Sequence, residues 1–316
     1  MIAASYEEAL LELARQREDV DVLTAENRAP IRSLPDLLGD RFVDVGICEQ
    51  TLVGVAAGLA LRGRTPVVHA LAAFLTMRAF EFIRTDVGVA GLPVKLIGYL
   101  PGFLSEANGA THQALEDVSL MRGIPGMRVF CPADADELVA GLPDVVASRG
   151  PWYVRYTGAP AAVAHAGPPE IDRAEVLSAG RDVAILTYGS LLAQADGARR
   201  ILEAEGVGVR LVNLRLLQPV DGAAVLEAAR STSLLVTVED HFAIGGLATI
   251  AAEVLLRGGA CPRSLHLALS ERWFQPARLP DVLAHEGFTA EAIAARIREA
   301  LGARAATAER ETGVTA

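Results

Sequence analysis

Aromatic side chains are scarce in this sequence, at 5% of 316 residues, while hydrophobic residues as a class reach 51%. The core must therefore be filled by Ala, Val and Leu, which lets elements pack closely. Only three cysteines occur, Cys48, Cys131 and Cys261, far apart and without a CxxC pair. That spacing supports neither a disulfide framework nor a zinc site, and it fits a reducing cytoplasm. Basic residues are outnumbered, 29 Lys and Arg against 39 Asp and Glu, and no Lys/Arg block appears. A net charge of −10 argues against nucleic-acid and anionic-membrane partners. Apolar runs are broken by charge or Gly well short of a membrane span, and the acidic N-terminal stretch is unlike a signal peptide. Several nucleotide and nucleophile motifs are missing too: no G-x-G-x-x-G after a strand, no Walker A sequence, no G-x-S-x-G elbow. No His/Asp/Glu pattern suggests a metal held by this chain.

What is present is an alternation of short β-branched runs with amphipathic stretches. Strands are predicted at 20–25, 42–46, 65–71, 94–100, 127–132 and 152–156, with helices at 5–17, 49–62, 74–90, 114–122 and 134–149. Near-continuous apolar strands separated by helices indicate an α/β fold with a parallel sheet covered on both faces. A Gly-, Pro- and Ala-rich break spans 157–172, after which the pattern restarts. Strands at 182–189, 209–215, 233–240 and 264–269, with helices at 191–206, 222–230, 245–258 and 289–302, form a second, smaller α/β unit. The expected division is 1–160, a linker 161–172, 173–304, and a flexible tail at 305–316.

Glu49 falls where the strand of FVDVG ends and an apolar helix begins. Ligands of open α/β sheets gather at the carboxyl ends of strands, and a carboxyl in that setting can share a proton with a ligand nitrogen. A helix-terminal acid favoured by the dipole is the plainer alternative. In NGATHQALED, Thr111 is placed to cap a following helix and His112 to lie in its first turn. A neutral imidazole there suits acid/base work, although a capping loop histidine fits equally. Phe74 and Phe80, on a helix after a strand, fit core packing or stacking on a flat heterocycle. Arg155 ends a strand, where it can reach a phosphate or carboxylate or make a surface ion pair.

Taken in order, these segments resemble the transketolase family. DVGICEQTLVGVAAGLALRGRTPVV is similar to its pyrimidine-binding domain, and NGATHQALEDVSLMRGIPGMRVFCPADADEL to its long D-G-P-T-H-Q…E-D…M-R run. VRLVNLRLLQPVD and LLVTVEDHFAIGGLATIAAEVL are similar to the family's C-terminal domain. The resemblance covers about residues 1–302. It implies a thiamine-diphosphate-binding pyrimidine domain followed by a transketolase C-terminal domain.

The resemblance also implies roles. Glu49 would hydrogen-bond N1′ of the aminopyrimidine and favour the imino tautomer that activates the thiazolium. Phe74 would stack on the pyrimidine, with Leu71 and Phe80 beside the ring. His112 would contact the donor and move protons, Asn108 would meet a substrate hydroxyl, and Arg155 would bind a substrate phosphate. The reaction implied is transfer of a two-carbon ketol unit from a ketose to an aldehyde.

This sequence departs from the family at several positions. Leu71 and Met77 stand where many relatives carry aromatics, Asn108 replaces an aspartate, and Leu100 replaces a phosphate-contacting histidine. Fewer charge-assisted donors bind phosphate less well, which points away from an ordinary pentose phosphate. The family's G-D-G…N motif, which holds Mg²⁺ and diphosphate, is absent from these 316 residues. The expectation is a beta subunit of a split transketolase, completed by an alpha chain in an α2β2 assembly. The competing readings are the beta subunit of a 2-oxo-acid dehydrogenase decarboxylase, a deoxyxylulose-phosphate synthase fragment and a non-catalytic assembly module.

Overall fold

The computed structural model describes residues 5–165, 167, 169–270 and 272–312, with side chains in the last helix described as far as residue 302. In the first half the strands are β1 (Val20–Thr24), β2 (Phe42–Asp44), β3 (Thr65–Leu71), β4 (Lys95–Tyr99), β5 (Arg128–Phe130) and β6 (Trp152–Arg155). In the second half they are β7 (Glu175–Ala179), β8 (Val183–Thr187), β9 (Val209–Asn213), β10 (Leu216–Gln218), β11 (Leu234–Phe242) and β12 (Ser264–Leu269). They form two sheets, ordered β10-β5-β6-β4-β3-β1-β2 and β12-β11-β8-β9-β7. All pairings are parallel except β10 with β5 and β7 with β9.

Strand alternation divides the core between the faces of the first sheet. Val20, Val22, Val67 and Val154 pack beneath the helices Tyr6–Gln16 and Ala135–Ala147. Leu23, Val68, Leu96 and Tyr153 face the helix Glu49–Leu61. The helix Tyr6–Gln16 starts where the sequence says it should: Ser5 and Glu8 form a reciprocal capping box. The second apolar face does not stop at the end of the first half. Val118, Met121 and Met127 join Leu186, Tyr188, Val212 and Leu214 in one continuous cluster.

Several features depart from the sequence expectations, among them the unpredicted helices Leu34–Leu38 and Leu279–Glu286. The helix expected at 74–90 is broken into wide turns at Phe74–Arg78 and Ile83–Gly88 around the short helix Phe80–Phe82. The amide of Ala79 reaches back to the carbonyl of Phe74, one residue further than in an α-helix. The helix expected from 114 begins only at Asp117. β7 and β10 were not foreseen, and β10 carries residues from beyond the linker into the first sheet. The last helix runs Ala290–Thr312, past its expected end and through most of the expected tail; residues 313–316 of that tail lie outside the described residues.

Charge reinforces the junction between the halves. Arg155, at the end of β6, is 4% exposed. It donates to Asp117 through Nε at 2.8 Å and Nη2 at 3.1 Å, and to Asp240 of β11 through Nη1 at 2.6 Å. Tyr153 also donates to Asp117 at 2.6 Å. Burial alone works against the guanidinium charge, but Asp117 and Asp240 more than offset it and push the pKa up. Gly102 makes room for this contact: it adopts φ +56°, and a Cβ there would collide with the Asp240 carboxylate.

Removing the cation would leave two buried carboxylates uncompensated. Arg155→Met is expected to cost about 3–5 kcal/mol, read as a lower urea midpoint. An unchanged midpoint would remove this triad from the account of the junction.

Candidate active site

The turn between β2 and the helix Glu49–Leu61 is shaped by its own side chains. The Asp44 carboxylate accepts from the amides of Gly46 (3.0 Å) and Glu26 (3.2 Å) and is held by Arg28. Gly46 takes φ +74°, a left-handed conformation that lets the chain reverse into the helix. Glu49 then occupies the first helical turn, where the dipole favours an acid. Its side chain is nevertheless withdrawn from water: Glu49 is 2% exposed.

A buried carboxylate needs a donor. Arg78 supplies it, with Nη1 2.9 Å from Glu49 Oε2. The same guanidinium lies over the Phe74 ring, 4.2 Å from its centroid. The Phe74 ring also meets His112, edge to face at 4.9 Å and 62°. Glu49, Arg78, Phe74 and His112 thus form a continuous chain of contacts drawn from three separate segments. A carboxylate oxygen, a flat apolar face and an imidazole edge together fit a nitrogen heterocycle: one group can meet a ring nitrogen, one can stack, and one can exchange protons. These features match the needs of an aminopyrimidine ring.

The remaining candidates sit less uniformly. Leu71, at the end of β3, is half-buried. Met77 packs with Phe74 against Ala72, Ala73 and Ala114. Phe80 packs instead on the large core cluster, apart from that small group, rather than beside Phe74. Asn108 is exposed and donates to the carbonyl of Ser105 at 2.9 Å.

Two expectations need correction. Thr111 does not cap a helix: its hydroxyl meets His112 Nδ1 at 3.0 Å in a single tight turn, Ala110–His112. His112 therefore lies outside the helix, which begins only at Asp117. Arg155 does not present a phosphate-binding surface, since its donors are committed to Asp117, Asp240 and the Ala114 carbonyl. An ion pair was one of its sequence readings, but the pair is buried rather than on the surface.

Sequence reasoning missed Arg78, although a cation four residues after Phe74 on one face of a turn was a signal available to it. It also missed a second charged cluster. His165 lies between Asp134 (Nε2 to Oδ2, 2.8 Å) and Glu175 (Nδ1 to Oε2, 2.8 Å). Arg215 joins Glu137 at 2.6 Å to Glu175 at 2.7 Å. Glu137, His165 and Glu175 bring possible ligand atoms within 4.8 Å of one another. Arg215 already supplies positive charge there, beside a cavity of about 320 Å³. Burial alone would lower the His165 pKa, but the hydrogen bonds to Asp134 and Glu175 outweigh it and the net shift is upward from 6.5.

Comparison with known proteins matches residues 1–159 to the profile of the transketolase pyrimidine binding domain, and residues 172–293 to that of the transketolase C-terminal domain. The chain is 37% identical to the 6-deoxy-6-sulfo-D-fructose transketolase subunit SqwH of Clostridium sp. (strain MSTE9), over 92% of this chain and 91% of that one. It is 36% identical to 1-deoxy-D-xylulose-5-phosphate synthase of Thermomicrobium roseum, covering 92% of this chain but only 47% of that protein. Among solved structures, a split-gene transketolase in an inactive beta4 tetramer superposes with a TM-score of 0.85 at 35% identity, covering 94% of this chain and 97% of the other. A transketolase from Pichia stipitis superposes at 0.79 over 95% of this chain and 46% of its own, and at 17% identity it shares the fold.

The charge cluster around His165 carries a pH signature. A raised histidine pKa means stabilisation that is full below the unfolded value and lost as pH climbs through the folded one. The unfolding midpoint of the wild type is expected to exceed that of His165→Gln at about pH 6, with the gap closing by about pH 9. A gap that widens with pH would contradict the assigned contacts.

Proposed function

The chain belongs to the transketolase family, and from that premise we propose that it is the beta subunit of a split, thiamine-diphosphate-dependent transketolase that moves a two-carbon ketol unit from a ketose to an aldehyde. The observation that carries this reading is the buried carboxylate of Glu49 at a helix start, within one chain of contacts with the Phe74 ring and His112. Glu49 is positioned to hold a proton at N1′ of the aminopyrimidine. Phe74 offers the face that orients the ring, with Leu71 at its margin, while Phe80 supports the surrounding core. His112 is placed to move a proton at a substrate oxygen, and Asn108 to meet a hydroxyl. When bound, the cofactor supplies the nucleophilic carbon and the electron sink.

The other half of the site comes from a second polypeptide in this reading. An alpha chain with the G-D-G…N motif would hold the diphosphate and Mg²⁺, in an α2β2 assembly. Support comes from relatives of matching length, one named as a transketolase subunit and one as a split-gene transketolase. Ile47, two residues before Glu49, is 71% exposed, and Phe82 and Val89 are exposed on the segment that packs beside the same helix. Apolar side chains left open on the segments flanking this helix suit a face that another chain covers.

With Arg155 committed to the protein's own carboxylates, a charged tail on the substrate would have to be read by other groups or by the partner chain. The relative from Clostridium is named for a sulfosugar, which makes a ketose other than a pentose phosphate a reasonable donor to test first. Among the described residues no helix is long and apolar enough to cross a membrane; the cytoplasmic location we propose rests instead on the three scattered cysteines, which suit a reducing compartment.

Mixing this chain with an alpha-type chain, cofactor and Mg²⁺ is expected to give ketol transfer that neither chain gives alone. In the mixture, Glu49→Ala and Glu49→Gln are each expected to lower kcat by about 10²-fold or more. Full turnover by the isolated chain would sink the split arrangement, and full activity of Glu49→Ala would sink the assignment of the acid.

A further inference from the structure

Two demands define a seat for an aminopyrimidine: a hydrogen-bonding group against the Glu49 carboxylate and a flat body against the Phe74 ring. In this chain both are already met by Arg78. Its Nη1 donates to Glu49 Oε2 at 2.9 Å, and its guanidinium carbon lies 4.2 Å from the Phe74 centroid. A guanidinium is planar, rich in N–H donors and stacks on aromatic faces, so it reproduces the recognition features of the ring. We propose that Arg78 is a built-in stand-in for the cofactor ring, which satisfies Glu49 in the cofactor-free chain and swings away when the ring takes its place. This rests on the reading of Glu49 and Phe74 as the ring's seat.

The surroundings of Arg78 suit a group that leaves. Its side chain is 42% exposed while that of Glu49 is 3% exposed, so the cation has a path to water and the acid does not. A long charged side chain can return its head to solvent at small cost. A carboxylate without a donor in that position would carry a desolvation penalty. The stand-in therefore keeps the acid satisfied before the cofactor arrives. Arg155 makes the contrast clear, clamped by two carboxylates and 4% exposed. Arg78 also closes the wide turn Phe74–Arg78, the local geometry that carries both stacking partners.

A stand-in lowers apparent cofactor affinity by reducing the fraction of molecules ready to bind. In the reconstituted two-chain complex with saturating Mg²⁺, calorimetric titration with thiamine diphosphate reads this directly. Arg78→Met, which keeps the stem but not the charged planar head, is expected to tighten the Kd about three- to tenfold. Arg78→Gln, also uncharged, is expected to tighten it in the same direction and serves as the second variant should one fail to assemble. Weaker or unchanged binding in an assembled variant would overturn the proposal, because Arg78 would then be holding Glu49 in the bound state or be indifferent to it. Absence of thiamine diphosphate binding by the wild-type complex is a different result, and would overturn the reading of the site together with the proposal.

Discussion

A carboxylate taken out of water must be met by a donor or be lost as a charge, and Glu49 is such a group. The fold delivers it to the start of a helix by a turn that Asp44 and Gly46 shape, and the wide turn after β3 brings Phe74 and Arg78 to meet it. His112, from a third segment, completes the row by packing edge to face with Phe74. The site thus needs strand ends and turns to converge, which the parallel sheet provides.

The same physics, with a different outcome, governs Arg155. Its two carboxylate partners come from separate parts of the chain, Asp117 from the first half and Asp240 from β11, so the ion pair ties the halves together. Among the described residues Glu49 has one donor, and that donor reaches solvent, whereas Arg155 is buried against Asp117, Asp240 and the Ala114 carbonyl. One arrangement is suited to exchanging partners, the other to holding still. The continuous apolar cluster shared by both halves and the addition of β10 to the first sheet act in the same direction as Arg155.

Much of this was legible in the sequence because periodicity reports burial. The runs at 20–25, 65–71 and 182–189 are apolar on both faces, and each is a central parallel strand. Edge elements were harder: β10 is three residues long, and β7 alternates too weakly to stand out from the linker. The wide turns at 74–88 share their apolar spacing with an ordinary helix, so only the backbone reveals the extra residue per turn. Glu49 and Phe74 stood out as candidates because their local segments are distinctive, and Arg78 links the two in the folded chain. The environment of Arg155 did not stand out, since an arginine at a strand end looks the same whether it faces a substrate or an aspartate 85 residues away. Pairings across such separations are properties of the folded chain.

The account stands on the Glu49 carboxylate meeting the cofactor ring. The most direct measurement is a crystal structure of the two-chain complex with thiamine diphosphate and Mg²⁺. The account requires a Glu49 oxygen at hydrogen-bonding distance from N1′ of the aminopyrimidine, about 2.6–3.2 Å. A ring seated elsewhere, with Glu49 turned to solvent, would contradict it.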